Sequence, residues 1–164
     1  MRIQTASRLL LLCLVVAVAS CGFRLRGTEK FPEAWKPVYI DSIERFDDSE
    51  QAISVALEER DIPTGELDKA RSRIHLLGES DSLRDVLVSA VNTQQLTIVW
   101  EFNYDLLNLE SEQWEHRIRG GSVSESQTFS ITGNANESNP EYRSILLELR
   151  AKLADKLIRA LAKN

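Results

Sequence analysis

The chain has 164 residues, with 20 basic and 25 acidic side chains and a formal net charge of −5. An acidic balance of this kind argues against nucleic acid as a partner, since phosphate backbones are bound by clustered Lys and Arg. Two cysteines, two histidines and one methionine leave no material for a disulfide framework or a convincing zinc site.

Residues 1–20 read as an export signal. Arg2 and Arg8 are the only charges, and Leu9 to Ala19 is apolar throughout. The apolar run is shorter than the roughly 20 residues a transmembrane helix needs. It ends in Val18-Ala19-Ser20-Cys21, a small-residue cleavage site that also looks like a lipobox, in which Cys21 becomes the lipidated N-terminus. An ordinary secretory cleavage that leaves Cys21 free is the alternative. Gly22 rather than Asp follows the cysteine, which favours sorting to the outer membrane. Cleavage would leave 18 basic against 25 acidic residues, a net −7. With Cys13 removed and Cys21 acylated, the mature domain would have no disulfide and would depend on a packed core.

Residues 21–37 read as a lipidated tether and first loop, with Gly22, Gly27, Pro32 and Pro37. Phe23 and Leu25 alternate with Arg24 and Arg26 directly after the anchor, as a linker packed on its own domain or as a segment that docks on a membrane partner. Residues 38–164 read as one domain. Val38-Tyr39-Ile40 favours a short strand. Asp47, Asp48 and Ser49 offer N-caps for a helix in which Ala52, Ile53, Ala56 and Leu57 recur at helical spacing, and Pro63 and Gly65 end it. A strand opens at Ile74–Leu77 and continues towards Val88, with a bulge expected near Gly78. The next strand alternates strictly: Ile98, Trp100, Phe102, Tyr104 and Leu106 share one face. A third runs from about Trp114 to Ile131, is interrupted at Gly120-Gly121 and alternates poorly. Turns are expected at Asn92-Thr93 and at Asn108 to Glu112. Asn139 and Pro140 suit the cap and first turn of a final helix. Its stripe is Tyr142, Ile145, Leu146, Leu149, Leu153, Leu157 and Leu161.

The order β-α-β-β-β-α predicts an α+β two-layer sandwich. A four-stranded, mostly antiparallel sheet would carry two helices on one face, burying both helical stripes and the aromatic face. No catalytic kit stands out: there is no phosphate-binding loop and no nucleophile elbow. His75 and His116 sit in strand candidates without an obvious partner. The reading is non-enzymatic, with no cofactor and no metal.

Cys21-Gly22-Phe23-Arg24-Leu25-Arg26-Gly27 resembles the mature start of the lipopolysaccharide-assembly lipoproteins, the LptE (RlpB) family. Glu148-Leu149-Arg150, Leu153-Ala154 and Leu157-Ile158-Arg159-Ala160-Leu161 are similar to that family's last helix. The resemblance implies a non-enzymatic outer-membrane lipoprotein on the periplasmic side. It would be anchored through N-palmitoyl and S-diacylglycerol Cys21 and would plug the LptD β-barrel, which inserts lipopolysaccharide into the outer leaflet. A polar lumen would suit a small polar two-layer domain. Partner contacts would fall on Phe23, Leu25, Phe129, Arg150 and Lys152. Lipopolysaccharide phosphates call for Arg or Lys. The hairpin tip, Ser89 to Thr93, has neither, and Arg84 is the nearest basic residue upstream. A ligand-binding or scaffold lipoprotein of similar fold is the alternative, and it would need an apolar pocket of about 300 Å³ or more.

Overall fold

The computed structural model describes residues 31–43, 47–88, 91–131 and 135–163. Strands β1 (Val38–Ser42), β2 (Ser72–Val88), β3 (Val91–Asn108) and β4 (Gln113–Phe129) alternate with helices α1 (Asp47–Glu58) and α2 (Pro140–Leu161) in the expected order. The sheet order is β1-β2-β3-β4. β1 runs parallel to β2 over only Val38↔Ser72 to Ser42↔Leu76. The other two pairs are antiparallel. This is the α+β sandwich that the sequence pattern predicts.

Period-two alternation in β3 dictates the layering. Leu96, Ile98, Trp100, Phe102, Tyr104 and Leu106 are buried on one face, and α1 and α2 close over it. α1 contributes Ile53, Ala56 and Leu57. α2 contributes Tyr142, Leu146, Leu149, Leu153, Ala154, Leu157, Ile158 and Leu161, so its sequence stripe is its buried stripe. Asn139 caps α2 by accepting a hydrogen bond from the Glu141 backbone N–H at 2.9 Å, and Pro140 fills the first turn. Residues 31–37, read as loop, add Phe31 to the core. Phe31 packs edge-on against Trp35, which in turn meets Tyr104.

The bulge expected near Gly78 falls between Leu76 and Gly78. It switches which residues of β2 face the helices, so that Ile74 and Leu76 before it are followed by Glu79 after it. β4 runs through Gly120-Gly121 as one strand. It is bent by register shifts opposite Phe102, Tyr104 and Asp105, which is why its alternation is hard to read. Gly121 lies so close to the sheet's aromatic face that a Cβ there would stand 2.7 Å from Phe102. The turn expected at Asn92-Thr93 is displaced. Both residues belong to β3, paired with Leu87 and Val86, and the strands meet at Val88↔Val91. A long antiparallel pair extends to the last residues its turn permits, and the Asn-Thr turn preference yields to that pairing.

The helices are tied to the sheet by polar groups as well as by packing. Glu79 sits beneath α2 with its side chain 12 % exposed. It accepts hydrogen bonds from Arg150 Nη2 at 2.7 Å and from Trp100 Nε1 at 2.6 Å, and another from Ser49 Oγ of α1. Burial alone would raise the Glu79 pKa. The donors from Arg150, Ser49 and Trp100 outweigh it and hold the carboxyl below the ordinary carboxylate range. Arg150 also reaches Asp48 at 2.8 Å, and Arg60 at the end of α1 pairs with Asp155 of α2. One guanidinium thus joins both helices and the sheet.

Candidate functional site

Helices cover one face of the sheet, and the opposite face is open. Its composition follows from the register. In the half nearest the hairpin, β2 presents Ser80, Ser82 and Arg84, β3 presents Gln95 and Thr97, and β4 presents Ser122, Ser124, Ser126 and Thr128. The β2 and β4 members are exposed and those of β3 half-buried. Val99, Arg84 and, opposite Ser122, Glu101 interrupt the run of hydroxyls and amides. Hydroxyl and amide side chains donate and accept in all directions and carry no charge, which suits a wet polar interface rather than a dry hydrophobic one.

The other end of the open face carries charge. Asp105 is 1 % exposed. It receives Arg73 Nε at 2.9 Å on one oxygen and meets His116 Nδ1 on the other. Arg73 also lies over the Trp114 ring, 5.1 Å from its centroid. One strand away, His75 Nδ1 stands 3.1 Å from Asp41 Oδ2. Both histidines therefore have carboxylate partners, contrary to the sequence reading. The register places Asp41 beside His75 and Asp105 beside His116, and only three-dimensional pairing reveals that. A His–carboxylate pair is two-thirds of a hydrolytic triad, yet among the described residues no hydroxyl or thiol is hydrogen-bonded to either imidazole. No group of three or more His, Cys, Asp or Glu side chains able to hold a metal occurs among the described residues.

The structure separates the residues singled out in the sequence. Cys21, Phe23 and Leu25 lie outside the described residues. Phe129 is 9 % exposed and packs against Tyr142 with ring centroids 6.2 Å apart, so its ring serves the core. Arg150 is taken up by Glu79 and Asp48. Lys152 is half exposed beside β4, 2.7 Å from Glu148 and 3.1 Å from Gln127. Arg84 is exposed on the open face, opposite Gln95. The sequence marks the third strand candidate as rich in Ser, Gln, Thr and Arg, either an ordinary exposed edge or a strand facing a wet protein interior, but not the face it forms with β2 and β3. Its signal was there, in β4, where Ser122, Ser124, Ser126 and Thr128 alternate with Val123, Glu125, Gln127 and Phe129.

Concave sites are modest. The apolar notch between the helices, walled by Ala52, Val55, Leu147 and Ala151, has about 230 Å³. The larger hollow beside β1, about 630 Å³, is open and lined by Tyr39, Asp47, Glu50 and Glu66.

Three solved structures share this arrangement. A minor lipoprotein from Acinetobacter baumannii superposes with a TM-score of 0.58 at 14% identity, covering 79% of this chain and 94% of its own. Rare lipoprotein B from Shewanella oneidensis gives 0.55 at 14% identity, covering 77% and 93%. An uncharacterized lipoprotein B from Nitrosomonas europaea gives 0.52 at 13% identity, covering 86% and 90%. This chain has the rare lipoprotein B fold. No protein-family model matches the chain, and no curated protein matches it in sequence. At this identity the likeness is one of fold alone. No helix among the described residues is long and apolar enough to cross a membrane.

Proposed function

We propose that this chain is an outer-membrane lipoprotein, anchored through acylated Cys21 on the periplasmic side. In this reading it occupies the LptD β-barrel as a plug and takes part in inserting lipopolysaccharide. The observation that carries the reading is the open sheet face, rich in uncharged hydroxyl and amide groups, on a rare lipoprotein B fold. A barrel lumen is polar and water-filled, and a surface of Ser, Thr and Gln can exchange hydrogen bonds with it through water at little cost. The Cys21 lipobox and the Phe23–Arg26 segment support the same placement, since two acyl attachments give stable anchoring and raise the local concentration of the domain at the barrel mouth. Lipopolysaccharide contact, if direct, would draw on exposed Arg84.

The ligand-binding alternative gains little support. The apolar notch falls below the roughly 300 Å³ of ordinary small-molecule sites, and the larger hollow is polar and open.

Affinity purification of tagged full-length protein from detergent-solubilised outer membranes tests the proposal. A stoichiometric barrel protein whose gel mobility changes on heating is the expected companion, and Cys21→Ala should lose it by mislocalisation. Recovery of the lipoprotein alone, or with soluble periplasmic proteins, would overturn the reading.

A further inference from the structure

The sheet has two long outer edges, and they are finished differently. Beyond Gly78, β2 has no neighbour on its outer side, because β1 stops at Ser42↔Leu76. That edge carries Asp81 and Asp85, charges of the kind that deter strand addition. The first half of β4 is distorted by its register shifts and by Gly120 at φ +61°, and Arg117 and Arg119 flank the bend. From Ser122 to Thr128, however, β4 pairs with β3 without interruption and carries no proline, glycine or bulge.

The direction of its amides can be derived. Lys156 Nζ of α2 donates to the Ser124 carbonyl at 2.6 Å, so this carbonyl points away from β3. Strand alternation then turns the N–H and C=O groups of Ser122, Ser126 and Thr128 the same way. Among the described residues, Lys156 is the one group that bonds to this row. The four residues are exposed, with small side chains on the open face that leave room for a neighbour.

The helix-side rim sets the chemistry of that neighbour. Lys152 and Lys156 stand one helical turn apart, about 6 Å, beside Gln127 and Ser124. This matches a two-residue step along a strand, about 6.7 Å. Lys156 also lies 3.2 Å from Glu125, and Lys152 2.7 Å from Glu148. An incoming strand would take the Ser124 carbonyl with its own N–H and leave the Lys156 ammonium one partner short. A carboxylate on the incoming strand would restore it. A two-fold copy of this chain would instead bring two Lys156 ammonium groups to the same row of carbonyls.

We propose that the outer edge of β4 from Ser122 to Thr128 is a strand-addition site for an extended segment of another polypeptide with carboxylates two residues apart. Backbone hydrogen bonds supply the attraction, and Lys152 and Lys156 supply register and selectivity. This inference is independent of the barrel reading, because it names a kind of strand and not its owner.

The test uses full-length protein in detergent micelles and two fluorescent nonapeptides, TVTETETVT and its basic twin TVTKTKTVT, titrated to millimolar concentration by anisotropy. The acidic peptide is expected to bind about tenfold more tightly than the basic one, as two cross-strand charge pairs imply. The double substitution Lys152→Glu with Lys156→Glu should reverse the preference. Ser124→Pro, at a position whose N–H serves no ladder bond, should abolish binding of either peptide, with an unchanged circular dichroism spectrum as its folding control. Equal binding of the twins, binding of neither, or a preference unmoved by the charge reversal would overturn the proposal. A concentration-dependent homodimer lost on Ser124→Pro would also overturn it, by assigning the edge to a second copy.

Discussion

Glu79→Ala removes the one acceptor on which Arg150, Trp100 and Ser49 converge. Arg150, with its side chain 14 % exposed, would keep only the outlying Asp48. The Trp100 indole N–H, on a fully buried residue, would keep nothing. Breaking a buried ion pair by removing one partner costs about 3–5 kcal/mol, and an orphaned buried donor costs about 1–3 kcal/mol. The two losses overlap because Asp48 still serves Arg150, so about 3–5 kcal/mol is expected for the single change. Domains of this size have about 5–15 kcal/mol of stability in total, so the variant should be visibly marginal. Urea unfolding of the mature domain followed by Trp fluorescence measures the loss. The double variant Glu79→Leu with Arg150→Met removes both charges and should regain the ion-pair part of the loss, leaving about 1–3 kcal/mol for the Trp100 N–H that still lacks its acceptor. A Glu79→Ala loss below about 1 kcal/mol, or additive effects of the two positions, would refute the view that one carboxylate holds both helices on the sheet.

Other outcomes follow from the same coordinates. Because the folded-state pKa of Glu79 lies below its unfolded value, its contribution is complete above the unfolded pKa and is lost as pH falls through the depressed folded value. Urea midpoints between about pH 6 and pH 3 should therefore fall more steeply in the parent than in Glu79→Gln. Leu153, fully buried on α2, should cost about 2–5 kcal/mol when changed to Ala, read from the same urea curves. Gly121→Ala drives a Cβ to within 2.7 Å of Phe102 and Ile118 and should cost about 1–3 kcal/mol by overpacking, seen as a lowered melting temperature. The Tyr104 hydroxyl is buried without a hydrogen bond of good geometry; burial raises its pKa, and the neighbouring Ser72 hydroxyl offsets this only in part. Tyr104→Phe should therefore be neutral or stabilising by about 1 kcal/mol, and a marked loss would reveal a partner for the hydroxyl.

The fold was legible where one periodicity dominates. In β3 the even-numbered apolar residues from Leu96 to Leu106 and in α2 the stripe from Tyr142 to Leu161 name their own buried faces, and Asn139-Pro140 names the helix start. The bulge at Gly78 was legible because glycine marks it. The hairpin end was not, since Asn92-Thr93 has local turn chemistry that the continuing β2–β3 ladder overrides. The His75 and His116 partnerships were hidden because they cross strands and depend on register, which no single segment carries. Arg150 reads as a surface charge on an amphipathic helix. Its burial depends on Glu79, 71 residues earlier, whose inward orientation is set by the bulge. The hydroxyl face was readable in β4 alone, and became a surface only once β2 and β3 supplied its other rows.

The pairing of α2 with α1 also bears on the order in which the molecule can be completed. Arg150–Asp48 spans 102 residues and Arg60–Asp155 spans 95, whereas the β2-β3-β4 meander joins neighbours in the chain. Local pairing forms faster than contacts at such separations. A nascent or unfolding molecule can thus hold the meander while Leu96, Ile98, Trp100, Phe102 and Tyr104 lack most of their lid, because the larger part of it is the last 22-residue helix. Until the chain is made through Leu161, this row of large apolar side chains stands in water beside unpaired edges, a sticky species of the kind that chaperones shield. Truncation within α2 would leave the chain in that state permanently.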